Sequence, residues 1–200
     1  MPTNWTTPRT WVAYEPVTKN LLNTYVRNQF LSVSFLSTRF VTTDTSLASV
    51  TLNLPTSSQA LNCEIHVHAR TEGAANLLNA QVGSTGTDYH WQLNRFGNAG
   101  AAAAGAANSS AWAVGNLPGS SGSTGDMSYT KILLPEHCNT RTLKTFTALS
   151  AAFLSSASTS GFANQFSGLF FSTGSLAAIT LFSTAGNFSV GCEFSVYGMP

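Results

Sequence analysis

Apolar and polar residues alternate along most of the chain after about residue 40, which is the pattern of strands with one buried face. Turn-forming Gly, Ser and Pro residues separate the alternating segments. The clearest run is the last, where Phe188, Val190, Cys192, Phe194 and Val196 are predicted to face one side of a strand. Short strands at this spacing predict a mainly β protein, a jelly-roll-like antiparallel β-sandwich rather than a βαβ fold. Nine segments are predicted as strands: 48–54, 63–69, 88–94, 110–115, 127–134, 142–149, 168–172, 177–183 and 188–197.

A different pattern precedes the predicted β-domain. Residues 1–17 are punctuated by prolines, which favour an extended arm, and residues 18–33 carry an apolar stripe at helical spacing. The arm could fold back on its own domain or dock on a neighbouring subunit, and the helix could pack on the domain or associate with copies of itself. The chain therefore divides into an N-terminal arm and helix, 1–36, and a β-domain, 37–200. The candidate attachment or oligomerisation residues are Trp5, Trp11, Tyr14, Leu22, Tyr25, Val26 and Phe30.

The segment 97–126 interrupts the strand pattern with Ala, Gly and Ser and carries no charge before Asp126. We interpret it as a long surface loop of the β-domain, since loops of this length are usually functional or mobile. Its alanine run could form a short helix. Trp112 and Val114 could hold its middle as a short strand.

Charged residues make up only 8% of the 200 residues, whereas hydrophobic residues make up 43%. Soluble proteins average about 25% charged residues, so the surface must be built largely from Ser, Thr, Asn, Gly and Ala. The composition excludes intrinsic disorder, and a formal net charge of +1 argues against nucleic-acid binding and against a polybasic membrane surface. A surface so poor in net charge favours association, which indicates a subunit of an assembly.

The N-terminal sequence lacks the basic and apolar regions of a signal peptide, and no apolar run is long enough to span a membrane. We therefore expect synthesis in a cytoplasm and no membrane partner. Cys63, Cys138 and Cys192 are widely separated and odd in number, which predicts buried free thiols rather than a disulfide framework.

Two motifs could carry chemistry. His66 and His68 lie two residues apart on a predicted strand and project from one face with Glu64 and Arg70, as metal ligands could, but a polar outer face is the favoured interpretation. Tyr89, Trp91 and Trp112 could stack on sugars, although the alternation around residues 89–93 favours core packing. The sequence shows no nucleophile elbow, close carboxylate pair, P-loop or dinucleotide motif, and it predicts a non-enzymatic protein without a metal or cofactor.

Three segments of the chain carry motifs that are similar to those of a known group of proteins. The first is PRTWVA at 8–13, followed by Glu15, VT at 17–18, LNT at 22–24 and VRN at 26–28. It resembles an N-terminal signature of tailed-bacteriophage structural proteins that reads roughly PRTWVAGE…VT…LNT…RDN. This chain departs from the signature with Tyr14 in place of Gly and Tyr25 in place of His. The second is YTKI at 129–132 with Lys144 and Thr145, which looks like an internal strand pair of the same proteins. The third is the C-terminal segment 186–198, which ends in Tyr197 and Gly198.

The resemblance implies a virion structural protein, with an N-terminal attachment segment and a C-terminal β-domain in a homotrimer. We expect a capsid decoration (cement) protein on the head surface, in contact with the major capsid protein or another virion protein. The alternative is a head or tail fibre, or a tail adhesin whose β-domain binds a host surface glycan. Either protein would be made in the host cytoplasm and reach the virion by assembly.

Overall fold

The computed structural model describes residues 36–42, 45–55, 62–83, 88–97, 102–120, 126–153 and 161–199. These ranges are mainly β, with every strand pairing antiparallel, and they contain no helix. The predicted arm 1–17 and helix 18–33 lie outside the described residues.

Twelve strands account for most of the described chain. They are β1 (Leu36–Thr42), β2 (Ser49–Asn53), β3 (Asn62–Ala69), β4 (Asn76–Gln81), β5 (Tyr89–Gly97), β6 (Ala102–Ser109), β7 (Trp112–Leu117), β8 (Ser128–Leu134), β9 (Lys144–Phe153), β10 (Gly161–Phe170), β11 (Ala178–Phe182) and β12 (Glu193–Met199).

The strands form two sheets that pack face to face as a β-sandwich. The larger sheet has eight strands in the order β1-β12-β3-β8-β9-β10-β5-β6, and the smaller has four in the order β2-β11-β4-β7. Strand β7 contacts β5, β8, β9 and β10 of the larger sheet. Strand β2, at the other end of the smaller sheet, contacts β1.

The core fills the space between the sheets because alternate residues of each strand point inward. Along β8 the buried and half-buried positions alternate without a break, and β2 alternates between exposed and buried positions. Neither strand needs a continuous apolar run, since only one face of each is buried. The largest fully buried apolar side chains are Trp112, Tyr89, Phe146, Phe166, Phe188, Phe194, Leu52, Ile65, Leu78, Leu117 and Ile132.

Strand β7 is the most deeply buried strand in the described structure, with all six of its residues buried. Trp112 at its start packs against Phe146 and Tyr89, with ring centroids 4.7 and 5.4 Å apart. The indole Nε1 donates a hydrogen bond to the main-chain oxygen of Leu169 at 3.0 Å, so its polar atom is satisfied inside the core. Trp112 therefore joins the smaller sheet to β5, β9 and β10 of the larger one.

A polar contact joins the sheets further along β7. The hydroxyls of Thr130 on β8 and Ser150 on β9 are 2.8 Å apart, and Ser150 Oγ accepts a hydrogen bond from the main-chain nitrogen of Asn116 at 3.1 Å. Gly115 lies directly against this pair, because a Cβ atom at this position would come within 2.4 Å of Thr130 Oγ1. The absence of a side chain at Gly115 lets β7 approach the larger sheet closely.

Each of the nine predicted strand segments overlaps an observed strand, so the prediction of a mainly β fold is confirmed. The predicted segment 168–172 covers only the end of β10. Strands β1, β4 and β6 were not predicted. In β4, the adjacent Leu77 and Leu78 hide the two-residue period, because Leu77 is half-buried against the core and Leu78 is fully buried.

The prediction of a long surface loop over 97–126 is wrong, because this segment contains β6 and β7. The alanine run lies in β6 and pairs with β5 from Ala102 to Ser109, although alanine favours a helix in isolation. Pairing with an adjacent strand outweighs that preference, as tertiary contacts commonly do. Residues 112–117 are core and not the tip of an excursion.

The prediction that Val190 faces the core with its neighbours is also wrong. Its side chain is 58% exposed, whereas Phe188, Cys192, Phe194 and Val196 are buried. Gly191 adopts a positive φ of 86° in a turn that separates Phe188 from β12. This turn interrupts the alternation that the sequence suggested.

We predict that Gly115→Ala lowers the free energy of unfolding by about 1–3 kcal/mol, because the added methyl group collides with Thr130 and cannot be accommodated without moving β7. Urea denaturation monitored by tryptophan fluorescence would measure the change. Gly174→Ala is the matched control, since its nearest neighbour would be Ser172 Oγ at 3.5 Å. Equal stability of the two variants would contradict the proposed close approach of β7.

Candidate functional site

The outer face of the eight-stranded sheet, which points away from the smaller sheet, carries two groups of side chains that differ in chemistry. The strands β12, β3 and β8 place ionisable and aromatic residues there. The strands β9, β10, β5 and β6 place hydroxyl, amide and apolar residues there, with His90 on β5 as the one titratable side chain among their described outward positions. One row across the sheet shows the change: Lys131 on β8 pairs with Leu149 on β9, which is followed by Gln165, Asn94 and Ala103.

The first group centres on His66, and we call it the His–Tyr cluster: Glu64, His66, Tyr129, Lys131 and Tyr197. His66 Nε2 lies 2.5 Å from Glu64 Oε1, and His66 Nδ1 lies 2.9 Å from the Tyr129 hydroxyl. Lys131 Nζ contacts the second carboxylate oxygen of Glu64 at 2.8 Å. The ring of Tyr197 meets the imidazole edge to face, with centroids 5.1 Å apart. The cluster therefore links β12, β3 and β8 through side chains.

Glu64 is the buried member of the His–Tyr cluster, with only 7% of its surface exposed. Burial by itself would raise the pKa of this carboxyl group, but the hydrogen bonds and positive charges of Lys131 and His66 outweigh that effect and lower the pKa below its ordinary value. Glu64 is therefore a carboxylate at neutral pH, and it is the acceptor that orients both neighbours.

The prediction that His66 and His68 lie on the outer face of one strand agrees with the structure. Both nitrogens of His66 face hydrogen-bonding partners, and the exposed His68 packs its ring against Tyr129 with centroids 4.8 Å apart. Among the described residues, no three His, Cys, Asp or Glu side chains come together in a way that could hold a metal ion. The prediction that Arg70 projects from the same face is wrong. Arg70 is buried, and its Nη2 donates a hydrogen bond to the Gly119 carbonyl at 3.2 Å.

The second group is the neutral face, defined as the outward positions of β9, β10, β5 and β6. No described residue at these positions is Asp, Glu, Lys or Arg; Lys144 and Arg95 belong to these strands but occupy inward positions. Two large apolar side chains stand on the neutral face, Leu149 with 60% of its surface exposed and Phe96 with 58%. Around them lie hydroxyl and amide side chains, of which Gln92 donates a hydrogen bond to Ser167 Oγ at 3.2 Å.

The candidates for sugar stacking occupy the core instead. Tyr89 and Trp112 are fully buried, and the Tyr89 hydroxyl both donates to the Val82 carbonyl and accepts from the Val82 nitrogen. Trp91 is half-buried against the same core. Their predicted core packing is confirmed, and Tyr89 and Trp112 present no face to a sugar.

Lys144 is a fully buried cation at the start of β9, with 1% of its surface exposed. Its ammonium group donates to the main-chain oxygen of Asn139 and to that of Thr142, the latter at 3.4 Å. Burial lowers the pKa of Lys144, while the nearby Cys138 and Glu136 act in the opposite direction. These contacts tie the connection between β8 and β9 to the sheet, which is a structural role.

The three cysteines are free thiols. Cys63 and Cys192 are buried, as predicted, whereas Cys138 is half-buried and donates to the Pro55 carbonyl at 3.3 Å. Burial raises the pKa of Cys63 to about 12, so it carries no thiolate at neutral pH. Cys63 therefore behaves as a small apolar side chain of the core.

The predicted attachment residues all lie outside the described residues: Trp5, Trp11, Tyr14, Leu22, Tyr25, Val26 and Phe30. Tyr129, Lys131 and Tyr197 were not predicted as partners of His66, and Leu149 and Phe96 were not predicted as exposed apolar residues. Alternation within each strand places them outward, but only the register between strands brings the first three around one imidazole.

No protein-family model, curated protein or solved structure matches this chain. Within the described ranges, no helix has the length and apolar character needed to cross a membrane.

We predict that Glu64→Gln lowers the free energy of unfolding at pH 7 by about 1–2 kcal/mol, because the amide cannot accept charge-assisted hydrogen bonds from Lys131 and His66 together. The folded-state pKa of Glu64 lies below its unfolded value, so its stabilising effect is complete above the unfolded pKa and is lost as the pH falls through the folded pKa. The difference between the variant and the wild type should therefore vanish in acid, as urea midpoints at several pH values would show.

Glu193→Gln is the matched control for this measurement. Glu193 is an exposed acid on β12 of the same outer face, opposite His68 in the strand pairing. We expect it to change stability by less than about 0.5 kcal/mol at either pH. If the loss of stability in Glu64→Gln stayed constant down to low pH, the charge of Glu64 would not be the cause of its stabilising effect.

Proposed function

We propose that this chain is a non-enzymatic structural component of a tailed-phage virion, and specifically a capsid decoration (cement) protein on the head surface. The observation that carries this proposal is the neutral face: half of the outer surface of the larger sheet lacks charge and exposes Leu149 and Phe96. A contiguous surface of this kind is typical of a protein that works in contact with others. The resemblance of the N-terminal segments to tailed-phage structural proteins is the reason for proposing that the assembly is a virion.

The strand order supports a jelly roll as the finer description of the sandwich. With eight strands numbered along the chain, a jelly roll has sheet orders 1-8-3-6 and 2-7-4-5. The order β2-β11-β4-β7 corresponds to the first of these two sheets. The order β3-β8-β9-β10-β5-β6 corresponds to the second when β8, β9 and β10 together take the place of jelly-roll strand 7. Three antiparallel strands enter and leave in the same directions as one strand, so the replacement preserves the topology. Strands β12 and β1 would extend the second sheet at its β3 edge.

We assign attachment to the N-terminal arm and helix, through Trp5, Trp11 and Tyr14 of the arm and Leu22, Tyr25, Val26 and Phe30 of the helix. Large aromatic side chains on a proline-rich arm gain about 150–250 Å² of burial each when they dock on a partner. The partners proposed are two further copies of this chain, in a homotrimer, and the major capsid protein or another virion protein. The near-zero net charge is consistent with a function that involves neither nucleic acid nor a membrane surface.

A fibre or tail adhesin that binds a host glycan is the second candidate function. The hydroxyl and amide groups of Ser167, Gln92 and Asn94 on the neutral face favour it, since such groups can hydrogen-bond sugar hydroxyls. A glycan array probed with the fluorescently labelled full-length chain separates the two functions. A cement protein should bind no glycan there, whereas an adhesin should bind a related set.

The proposed location is tested on virions of the phage whose genome encodes this chain. We expect the chain to be present in purified particles by mass spectrometry, and a gold-labelled antibody against it to decorate the heads in electron micrographs. A chain lacking residues 1–17 should keep a cooperative unfolding transition but should no longer bind particles that lack the protein.

Other outcomes would correct the proposal at different levels. Gold on the tails would replace the cement assignment by the fibre or adhesin one. Purified particles that lack the chain would overturn the virion function. Normal incorporation of the truncated chain would show that the arm is not the attachment segment.

A further inference from the structure

The neutral face is an exposed sheet surface without charge, and the structure gives three reasons to expect a protein on it. Leu149 and Phe96 lie on β9 and β5, which are separated by β10, and each exposes more than half of its surface. The residues between them are uncharged, so burying the face requires no ion to be dehydrated. The adjoining β6 is the terminal strand of the sheet and carries only small or uncharged side chains.

We infer that the neutral face packs against the neutral face of another copy of this chain, around the symmetry axis of a homo-oligomer. This inference rests on the self-association proposed above and names the surface responsible for it. It does not depend on the virion assignment.

Charge complementarity favours a second copy as the occupant. A partner with charged residues opposite Leu149 or Gln165 would have those charges buried without counter-ions, at a cost of several kcal/mol per ion. A copy of the same chain offers a matching uncharged surface. A twofold axis pairs identical patches, and a threefold axis places the same face of each chain around the axis. The acidic residues and the lysine of the outer face, Glu64, Glu193 and Lys131, lie on β3, β12 and β8, outside the proposed contact. His90 is the one titratable side chain among the described outward positions of the neutral face, and its ring packs against Phe171 with centroids 4.7 Å apart.

The size of the neutral face is compatible with a specific contact. Four strands about 4.8 Å apart, each with about eight residues at roughly 3.4 Å, cover a projected area of about 500 Å². The accessible area is larger because side chains corrugate the surface. The smallest specific interfaces bury about 600 Å² per partner, so the neutral face alone reaches this range.

The edge strand β6 adds a geometric argument. Natural proteins often protect an exposed sheet edge with Lys, Pro or an inward-pointing charge. The described residues of β6 include none of these, and Ala103 and Gly105 face outward beside Asn94 and Gln92. Small side chains at this edge leave room for a neighbouring copy to approach the sheet closely.

The experiment compares the full-length wild type with two single variants that place a charge on the neutral face, Leu149→Glu on β9 and Gln165→Lys on β10. Light scattering coupled to size-exclusion chromatography gives the mass of each. We expect two or three chains for the wild type and dissociation at least about tenfold easier for both variants. Val190→Glu is the matched control, because Val190 is also 58% exposed but lies in the turn before β12. It should keep the wild-type mass.

Circular dichroism and urea midpoints confirm that the variants remain folded, which is expected because both positions are exposed. If the wild type is oligomeric and both folded variants keep its mass, the assignment of the neutral face is wrong while the proposed self-association stands. If the wild type is a monomer at all accessible concentrations, the self-association itself is wrong, and with it this inference. Loss of assembly in Val190→Glu as well would overturn the assignment to one surface.

Discussion

The packing of β7 against the larger sheet is the constraint on which the rest of the sandwich depends. Trp112 fills the space among Phe146, Tyr89 and Phe170, and its indole nitrogen is satisfied by a carbonyl of β10. Gly115 brings the strand close enough for Ser150 to accept from the Asn116 nitrogen. This contact holds the two sheets together at the edge of the smaller one. It also fixes which face of β9 and β10 points outward.

The distribution of charge follows from this arrangement. Most of the ionisable side chains of the outer face lie on β12, β3 and β8, where Glu64, His66 and Lys131 contact one another across two strands. The neighbouring strands expose Leu149 and Phe96 among uncharged residues. A free monomer with such a face would be poorly solvated, which gives a physical reason for the assembly that the composition suggests.

Much of the fold could be predicted from the sequence because alternation reports burial directly. The segments 63–69 and 127–134 were placed within one residue of β3 and β8, and the core positions of Tyr89 and Trp112 were predicted correctly. The prediction failed where local preference and tertiary context disagree. The alanine run of β6 favours a helix in isolation, and its strand structure depends on pairing with β5. The candidate site was less predictable, since Tyr129 and Lys131 meet His66 only through the register of β3 and β8.

The sequence by itself determined the mainly β class, most strand positions, the uncharged character of the surface and the outward placement of His66 and His68. These properties depend on composition and on the two-residue period, which neighbouring residues along the chain set. Only the tertiary structure decided the strand order, the burial of β7 and the separation of the outer face into the His–Tyr cluster and the neutral face. Those features arise from pairings between residues far apart in the chain, such as Leu149 with Lys131 and Gln165, and no local pattern specifies them.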